Sequence, residues 1–440
     1  MNLQQFKRYN NLLGLLILLI GTGVYTLTME STASLWDCGE FVASVYKQQV
    51  VHPPGAPMFL MLARVFNIFA MGDPELVSLS LNFMSAFCSG AAAMFLFWIT
   101  THLARRILTE RSDDSINTPN TIAILGAGLV AGLTGIFLDS VWFSATEAEV
   151  YSMSLLFTAM VVWLMMKWDE HADEPYADKY LLLLCFLMGT SIFVHWLNLL
   201  TIPALTLLYY FRRYTPSMRG TVIAFVSSIF ILGFIYVPII LWPVGIAAKF
   251  ELLFVNSFGL PFGSGAIFST LLGIGALVGG IYYTYQKNKV VLHNALVGIM
   301  FILIGYSSIV TTIIRSNTNT NINMNSPTDV VSLSSYLKRE QYGSRPFLFG
   351  YDYTAEVDDI IEGAPKYQRT EKGYEVVGKQ IDYAYAGEQR FFPRLYSQEP
   401  GHQQLYEAWL DLNAGESPSG MDNWKFFFKW PRMLYKNHIY

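Results

Sequence analysis

The sequence predicts an all-α polytopic membrane protein of about nine spans with its N-terminus inside, followed by a small soluble domain on the outer side. Three observations carry that expectation. Of 440 residues, 53% are hydrophobic and 14% charged, with a mean hydropathy of +0.35, whereas a soluble domain carries roughly 25% charged residues. Apolar runs long enough to cross a bilayer recur up to Ile314 and then stop. The Lys and Arg residues between those runs gather on alternate loops. A formal net charge of −4 without a long basic block argues against nucleic acid as a partner. Cys38, Cys88 and Cys185 are too scattered for a disulfide framework or a zinc site.

The first span, Leu12 to Leu27, follows Lys7 and Arg8 and reads as an uncleaved anchor, because no small-x-small cleavage site follows it. Further spans are expected over Val77–Leu103, Ile122–Leu138, Tyr151–Trp168, Tyr180–Val194, Trp196–Phe211, Thr221–Leu241, Ile267–Tyr283 and Val291–Ile314. The stretch from Tyr180 to Phe211 could be one tilted helix or two short ones turning near "HWLN". Two are preferred, because Lys7/Arg8, Arg105/Arg106/Arg111, Arg212/Arg213/Arg219 and Lys287/Lys289 then share one side. After Arg315 the Asn-rich "SNTNTNINMNSPTD" reads as a linker. A membrane domain of residues 1–315 and a soluble outer domain of 316–440 are therefore expected, with a helix over "VVSLSSYLKREQYG" capped near Thr328 or Asp329.

With this topology Asp37, Glu40, His52, Glu147, Glu149 and His195 all fall at the outer face. "PMFLMLARVFNIFAM" reads as an interfacial helix that walls them against lipid. Each residue has a bland reading beside a functional one. Asp37 could cap a helix through "EFVASVYKQ" in a capping box with Glu40, or serve as a general base with Glu40 as its neighbour on one helical face. In "VHPPGAP" the prolines stiffen the chain and aim His52, either as a structural hydrogen-bonding group or toward a phosphate. Glu149 and Tyr151 open a span, where a Glu suits the helix dipole but an ionisable group at this depth also marks a site. His195 sits roughly 24 Å along its helix from Lys179, in the outer half of the bilayer. It reads as a core histidine or as part of a pocket. Arg315 closes the last span, by snorkelling or as a bidentate donor to a lipid phosphate. Together these groups suit an amphipathic, phosphorylated substrate such as a polyprenyl-phosphate sugar. Carboxylates are present in number for one divalent cation, without a ligand spacing that specifies it.

"WDCGEFVAS", "VHPPGAPMF", "ATEAEVYSM", "MGTSIFVHWLNLLTIPAL", "NSFGLPFGSG" and "YLKREQYGSRPFLFG" occur in that order. The chain thereby resembles glycosyltransferase family 117, a protein O-mannosyl-transferase-like multipass family. That resemblance implies a glycosyltransferase C helical bundle in the cytoplasmic (inner) membrane, with its active face and C-terminal domain periplasmic. It also implies a lipid-linked sugar as co-substrate, an exported protein as acceptor, other envelope proteins as candidate partners, and transfer with inversion. Asp37 matches the first-loop acidic residue, with Glu40, His52, Glu149 and His195 at the family's other motif positions. Cys38 stands where a small polar residue is more usual, and should be tolerated because the carboxylates keep their spacing. The reading is a sugar transfer with Asp37 as base and Glu40 orienting the acceptor or Asp37. His52 and Arg315 would hold phosphate, while Glu149, Tyr151 and His195 shape the sugar pocket. A glycolipid or polysaccharide acceptor is the intermediate alternative, and the competing class is a non-catalytic scaffold or transporter subunit of an export or envelope-assembly complex.

Overall fold

A computed structural model describes residues 1–109, 115–343 and 348–439. Arg111 of one basic cluster and Ser344–Phe347 of the last family-like stretch lie outside the described residues. The chain divides into two compact units, Met1–Lys338 and Arg339–Tyr440.

The first unit is helical. Its elements are α1 (Leu3–Thr28), α2 (Cys38–Lys47), α3 (Pro57–Phe66), α4 (Val77–Leu108), α5 (Thr118–Ile136), α6 (Asp139–Ala145), α7 (Val150–His171), α8 (Asp178–Ile192), α9 (Ile202–Arg213), α10 (Met218–Phe234), α11 (Trp242–Leu252), α12 (Ser264–Gln286), α13 (Val290–Tyr306), α14 (Val310–Ser316) and α15 (Val330–Leu337). Among the described residues, seven helices are long and apolar enough to cross a membrane: Leu3–Thr28, Pro74–Leu108, Thr118–Ile136, Val150–His171, Met218–Ser257, Ser264–Gln286 and Val290–Ser316. The polytopic helical architecture is thus observed.

The remaining two expected spans are the short pair. α8 has 15 residues and α9 has 12, about 23 and 18 Å at about 1.5 Å per residue, so neither crosses a hydrocarbon core of about 30 Å alone. The chain breaks between them at Phe193–His195 and continues through a 3₁₀ turn over Trp196–Thr201. Arg212 at the end of α9 pairs with Asp169 at 3.2 Å, and Arg106 at the end of α4 pairs with the same carboxylate at 2.7 Å. Both basic clusters therefore occupy one end of the bundle, as two short helices require.

The helix of the span expected to end at Leu241 continues to Ser257, which corrects the sequence boundary. Pro238 is passed by a π-type turn over Ile235–Leu241, and the helix runs on. Glu251 does not end it, because its buried carboxylate accepts the Gly263 N–H at 2.6 Å and the Ala266 N–H at 3.1 Å. A helix start would otherwise leave such donors unsatisfied.

Residues 316–338 belong with the helical unit, although they follow the Asn-rich loop. Val50 and Asn323 form a parallel bridge, with Val50 N–H donating to Ile322 O at 3.1 Å and Met324 N–H to Val50 O at 3.1 Å. α15 starts at Asp329, whose side chain accepts from Val331 and Ser332 N–H in a capping box. It buries Val331, Leu333, Tyr336 and Leu337, which is why it stays with the bundle.

In the second unit, β2 (Val357–Arg369) and β3 (Tyr374–Tyr385) form an antiparallel hairpin, and β1 (Phe349–Gly350) pairs with β4 (Arg390–Phe391). Its core gathers Tyr353, Leu395, Tyr406, Leu410 and Phe426, the last three from α16 (Pro400–Leu410) and α17 (Gly420–Ile439).

Helix contact in the bundle relies on small residues, which let backbones approach closely in the absence of a hydrophobic driving force between lipid-solvated helices. A Cβ on Gly305 of α13 would lie 2.4 Å from Thr190 N, and one on Gly189 of α8 2.1 Å from Ile302 O. Gly305→Val should therefore lower the melting temperature of the solubilised protein, by an overpacking cost of about 1–3 kcal/mol. Gly233→Ala, where nothing stands within 4 Å, should leave it unchanged. A thermal unfolding series of the two variants checks this.

Candidate active site

Six residues after the last turn of α1, the chain enters the loop that carries the expected site, and that loop is anchored at several points. Buried Asn82 of α4 donates from its amide to Glu30 O at 2.7 Å and Thr32 O at 3.2 Å. Asp37 then begins α2, but its side chain makes no capping hydrogen bond. The capping-box alternative is therefore not formed, and the carboxylate is 59% exposed. Glu40, one turn on, is engaged differently. It accepts the His52 backbone N–H at 2.7 Å with one oxygen and meets His52 Nδ1 at 2.8 Å with the other. A carboxylate partner puts the proton on Nδ1, so the ring presents Nε2 to Asp37, 4.0 Å away. Phe41 packs edge-on to the imidazole at 5.9 Å between centroids.

The rigid "HPPG" turn is held from behind. Tyr336 of α15 donates its hydroxyl to Val51 O, and Gly55 N–H donates to His52 O at 2.9 Å. Gly55 has φ +77°, and a Cβ there would come within 2.7 Å of the Tyr336 hydroxyl. Only glycine meets both conditions without strain.

The turn that leads into α7 brings two buried carboxyls, Glu147 and Glu149. Ser34 donates its hydroxyl to Glu147, and the same oxygen stands 3.1 Å from Cys38 Sγ. Cys38 donates to Glu149 at 3.8 Å, and Val150 N–H donates to the other Glu149 oxygen at 3.2 Å. Burial pushes the Cys38 thiol up to about 12, so it stays a donor. Burial also pushes the Glu149 carboxyl up to about 7, against the lowering pull of the Val150 N–H and with help from the charges of Asp37 and Glu147. Tyr151 lies beside His195, with ring centroids 5.3 Å apart. His195 Nδ1 accepts from Leu197 N–H at 3.2 Å. Its corner is pinned to α7 by buried Asn198, whose carbonyl accepts from the hydroxyls of Ser154 and Thr158 at 3.2 and 2.5 Å.

The structure thus brings Asp37, Glu40 and His52 together and couples Glu149 to them through Cys38 and the Asp37 charge, with Tyr151, two residues on, beside His195. It does not bring Arg315 to this cluster. Arg315 donates to Gln48 O at 2.5 Å and Lys47 O at 2.8 Å, closing the opposite end of α2, about 15 Å of helix away from Asp37. Cys38, Ser34, Glu147 and Tyr336 are site-building residues that the sequence did not single out for these roles. The short spacing of Ser34, Asp37 and Cys38 was the available signal for the first two, whereas Tyr336 had none. Among the described residues, Asp37, Glu40 and His52 also form a group whose candidate ligand atoms lie within 4.8 Å of one another. Carboxylate and imidazole are suitable donors for one divalent cation, although Glu40 and His52 already bond each other.

Comparison with known proteins falls on this region. Residues 37–218 match the family model of the protein O-mannosyl-transferase TMEM260 N-terminal domain. The match begins at Asp37 and includes every residue of the cluster, while Arg315 lies beyond it. The chain is 24% identical over 148 residues to protein O-mannosyl-transferase tmem260 of Dictyostelium discoideum, covering 32% of this chain and 15% of that protein. It is 25% identical over 170 residues to protein O-mannosyl-transferase TMEM260 of Mus musculus, covering 38% and 21% respectively. The matches thus span a small part of these relatives' own length. Residues 343–428, in the second unit, match a family of unknown function, DUF8416. No solved structure matches the chain.

The buried Glu149 carboxyl gives a pH signature. The folded chain keeps a proton that the unfolded chain releases above about pH 4.5, so its stabilising contribution is full below that value and is lost as pH rises through about 7. Melting temperatures measured from pH 4.5 to 8 should fall across this window in the wild type, and Glu149→Gln should flatten the fall.

Proposed function

We propose that this protein is a membrane glycosyltransferase that moves a sugar from a polyprenyl phosphate to a hydroxyl, a Ser or Thr of an exported protein, with inversion at the anomeric carbon. The observation that carries the reading is the uncapped, exposed Asp37 carboxylate beside a His52 ring whose orientation Glu40 holds, at the start of the segment similar to a protein O-mannosyl-transferase domain. The finer placement in glycosyltransferase family 117, with a glycosyltransferase C fold and a periplasmic active face in the inner membrane, belongs to the same proposal.

In this mechanism Asp37 takes the hydroxyl proton as the acceptor oxygen bonds to the anomeric carbon. The carbon–oxygen bond to phosphate breaks, and the lipid phosphate leaves with the bonding electrons. Glu40 acts through His52 by fixing its tautomer, and the Nε2 face of His52 meets phosphate or acceptor beside Asp37. Glu149, whose carboxyl pKa burial raises, can in its protonated form donate a hydrogen bond to a sugar hydroxyl. Tyr151 and His195 wall the same pocket. Arg315 contributes by holding the far end of α2 and thereby the helix that presents Asp37.

The test is glycan mass on exported proteins from cells lacking the gene, complemented with wild type or Asp37→Asn at equal protein level. Loss of one sugar, restored by wild type alone, is expected, since a general base contributes about 10²- to 10⁴-fold in rate. Full restoration by Asp37→Asn would sink the base assignment and put the scaffold class forward.

A further inference from the structure

At the opposite end of α7 from Glu149 is a cavity of about 280 Å³, between α1, α4 and α7. Its wall combines Lys7 and Asn10 of α1, Trp98 and Arg105 of α4, and Trp163 and Lys167 of α7. Lys167 is about 26 Å along the helix from Val150, the separation of one headgroup layer from the other. The tryptophans support this depth, since their amphipathic rings favour the membrane–water interface.

The polar groups specify the ligand. Glu170, a carboxylate in the wall, is taken up by Lys167 at 2.8 Å and by His102 at 3.2 Å. Lys167 also lies 5.6 Å over the Trp163 ring. Lys7 and Arg105 thus present positive charge to the space with the wall carboxylate already engaged, which favours an anion. A separate observation asks for a hydrogen-bond donor. The side-chain oxygen of Asn10 is buried and finds no partner among the described residues, while its backbone carbonyl accepts from Trp98 Nε1 at 3.3 Å. A buried acceptor left unmet costs about 1–3 kcal/mol.

We propose that this cavity binds the headgroup of an anionic, hydroxyl-bearing glycerophospholipid, of which phosphatidylglycerol is the simplest. The phosphate sits between Lys7 and Arg105, the headgroup hydroxyl donates to Asn10, and the acyl chains leave between the helices past Trp98 and Trp163. Basic pockets between spans are suited to such headgroups. The site is remote from Asp37, and the inference stands apart from the proposed transfer reaction. A soluble glycerophosphate offers the same chemistry without the chains.

The experiment uses the full chain in neutral-detergent micelles, titrated with phosphatidylglycerol, phosphatidic acid, phosphatidylcholine or soluble glycerol 3-phosphate, and read by native mass spectrometry and melting temperature. Phosphatidylglycerol should bind and stabilise, and phosphatidylcholine should not. Lys7→Gln with Arg105→Gln should weaken phosphatidylglycerol binding by about five-fold for each cation removed. Asn10→Leu should erase the preference for phosphatidylglycerol over phosphatidic acid. Lys287→Gln with Lys289→Gln, remote basic residues, should leave binding unchanged. Should the Lys7/Arg105 double variant not fold, Lys7→Gln alone carries the test, because Lys7 is exposed. Equal binding of phosphatidylglycerol and phosphatidylcholine, or wild-type affinity in the Lys7 variants, overturns the proposal. So does a response to soluble glycerol 3-phosphate as large as that to the lipid, which would assign the cavity to a soluble phosphate ligand.

Discussion

The double hydrogen bond between Glu40 and His52 is the constraint on which the loop after α1 depends. One carboxylate accepts both the backbone and ring N–H of a residue twelve positions away, and hydrogen bonds to a charged group contribute about 1.5–3 kcal/mol each. That pair closes the loop over α2 and orients the imidazole toward Asp37. Every other anchor serves the same geometry. Arg315 terminates α2, Tyr336 holds the carbonyl before His52, and the Val50–Asn323 bridge ties the intervening strand-like segment to the Asn-rich loop. The residues supporting the site come from sequence positions as distant as 315 and 336, so a chain ending at the last span would leave the loop without its backing.

Around this loop, similar acidic side chains sit in unlike environments. Asp37 is exposed and uncapped, Glu40 is consumed by His52, and Glu149 is buried against Cys38 and Val150 N–H. Burial disfavours the ionised form, so Glu149 holds its proton more tightly than an exposed carboxyl would. Separating acid and base roles by environment is a general device of catalytic carboxylates. Cys38 matters here as a protonated donor in a closed space.

At the other end of the bundle, charge is used structurally. Asp169 receives Arg106, Arg212 and His102, and Asp173 receives Arg212 and Arg213. Asp169, in the last turn of α7, and Asp173 just after it therefore neutralise Arg106, Arg212 and Arg213. The pairing locks the short α8–α9 excursion, whose helices could not bury both their ends by length alone.

Hydropathy, in the sequence by itself, determined the membrane-spanning helical class and the position of nearly every span, because each backbone segment in lipid must satisfy its own hydrogen bonds and so must be a long apolar helix. The break near "HWLN", the cap at Asp329 and the gathering of Asp37, Glu40, His52, Glu149, Tyr151 and His195 at one end of the bundle were legible for local reasons of charge count and turn chemistry. Only the tertiary structure decided what those residues touch. It paired Glu40 with His52 in place of Asp37, set Arg315 at the far end of α2, continued the helix past Leu241 to Ser257, and drew residues 316–338 into the bundle. Each of these turns on a contact between residues far apart in the chain, such as Tyr336 with Val51 or Gly263 with Glu251, and local periodicity carries no record of which distant donor will meet which acceptor.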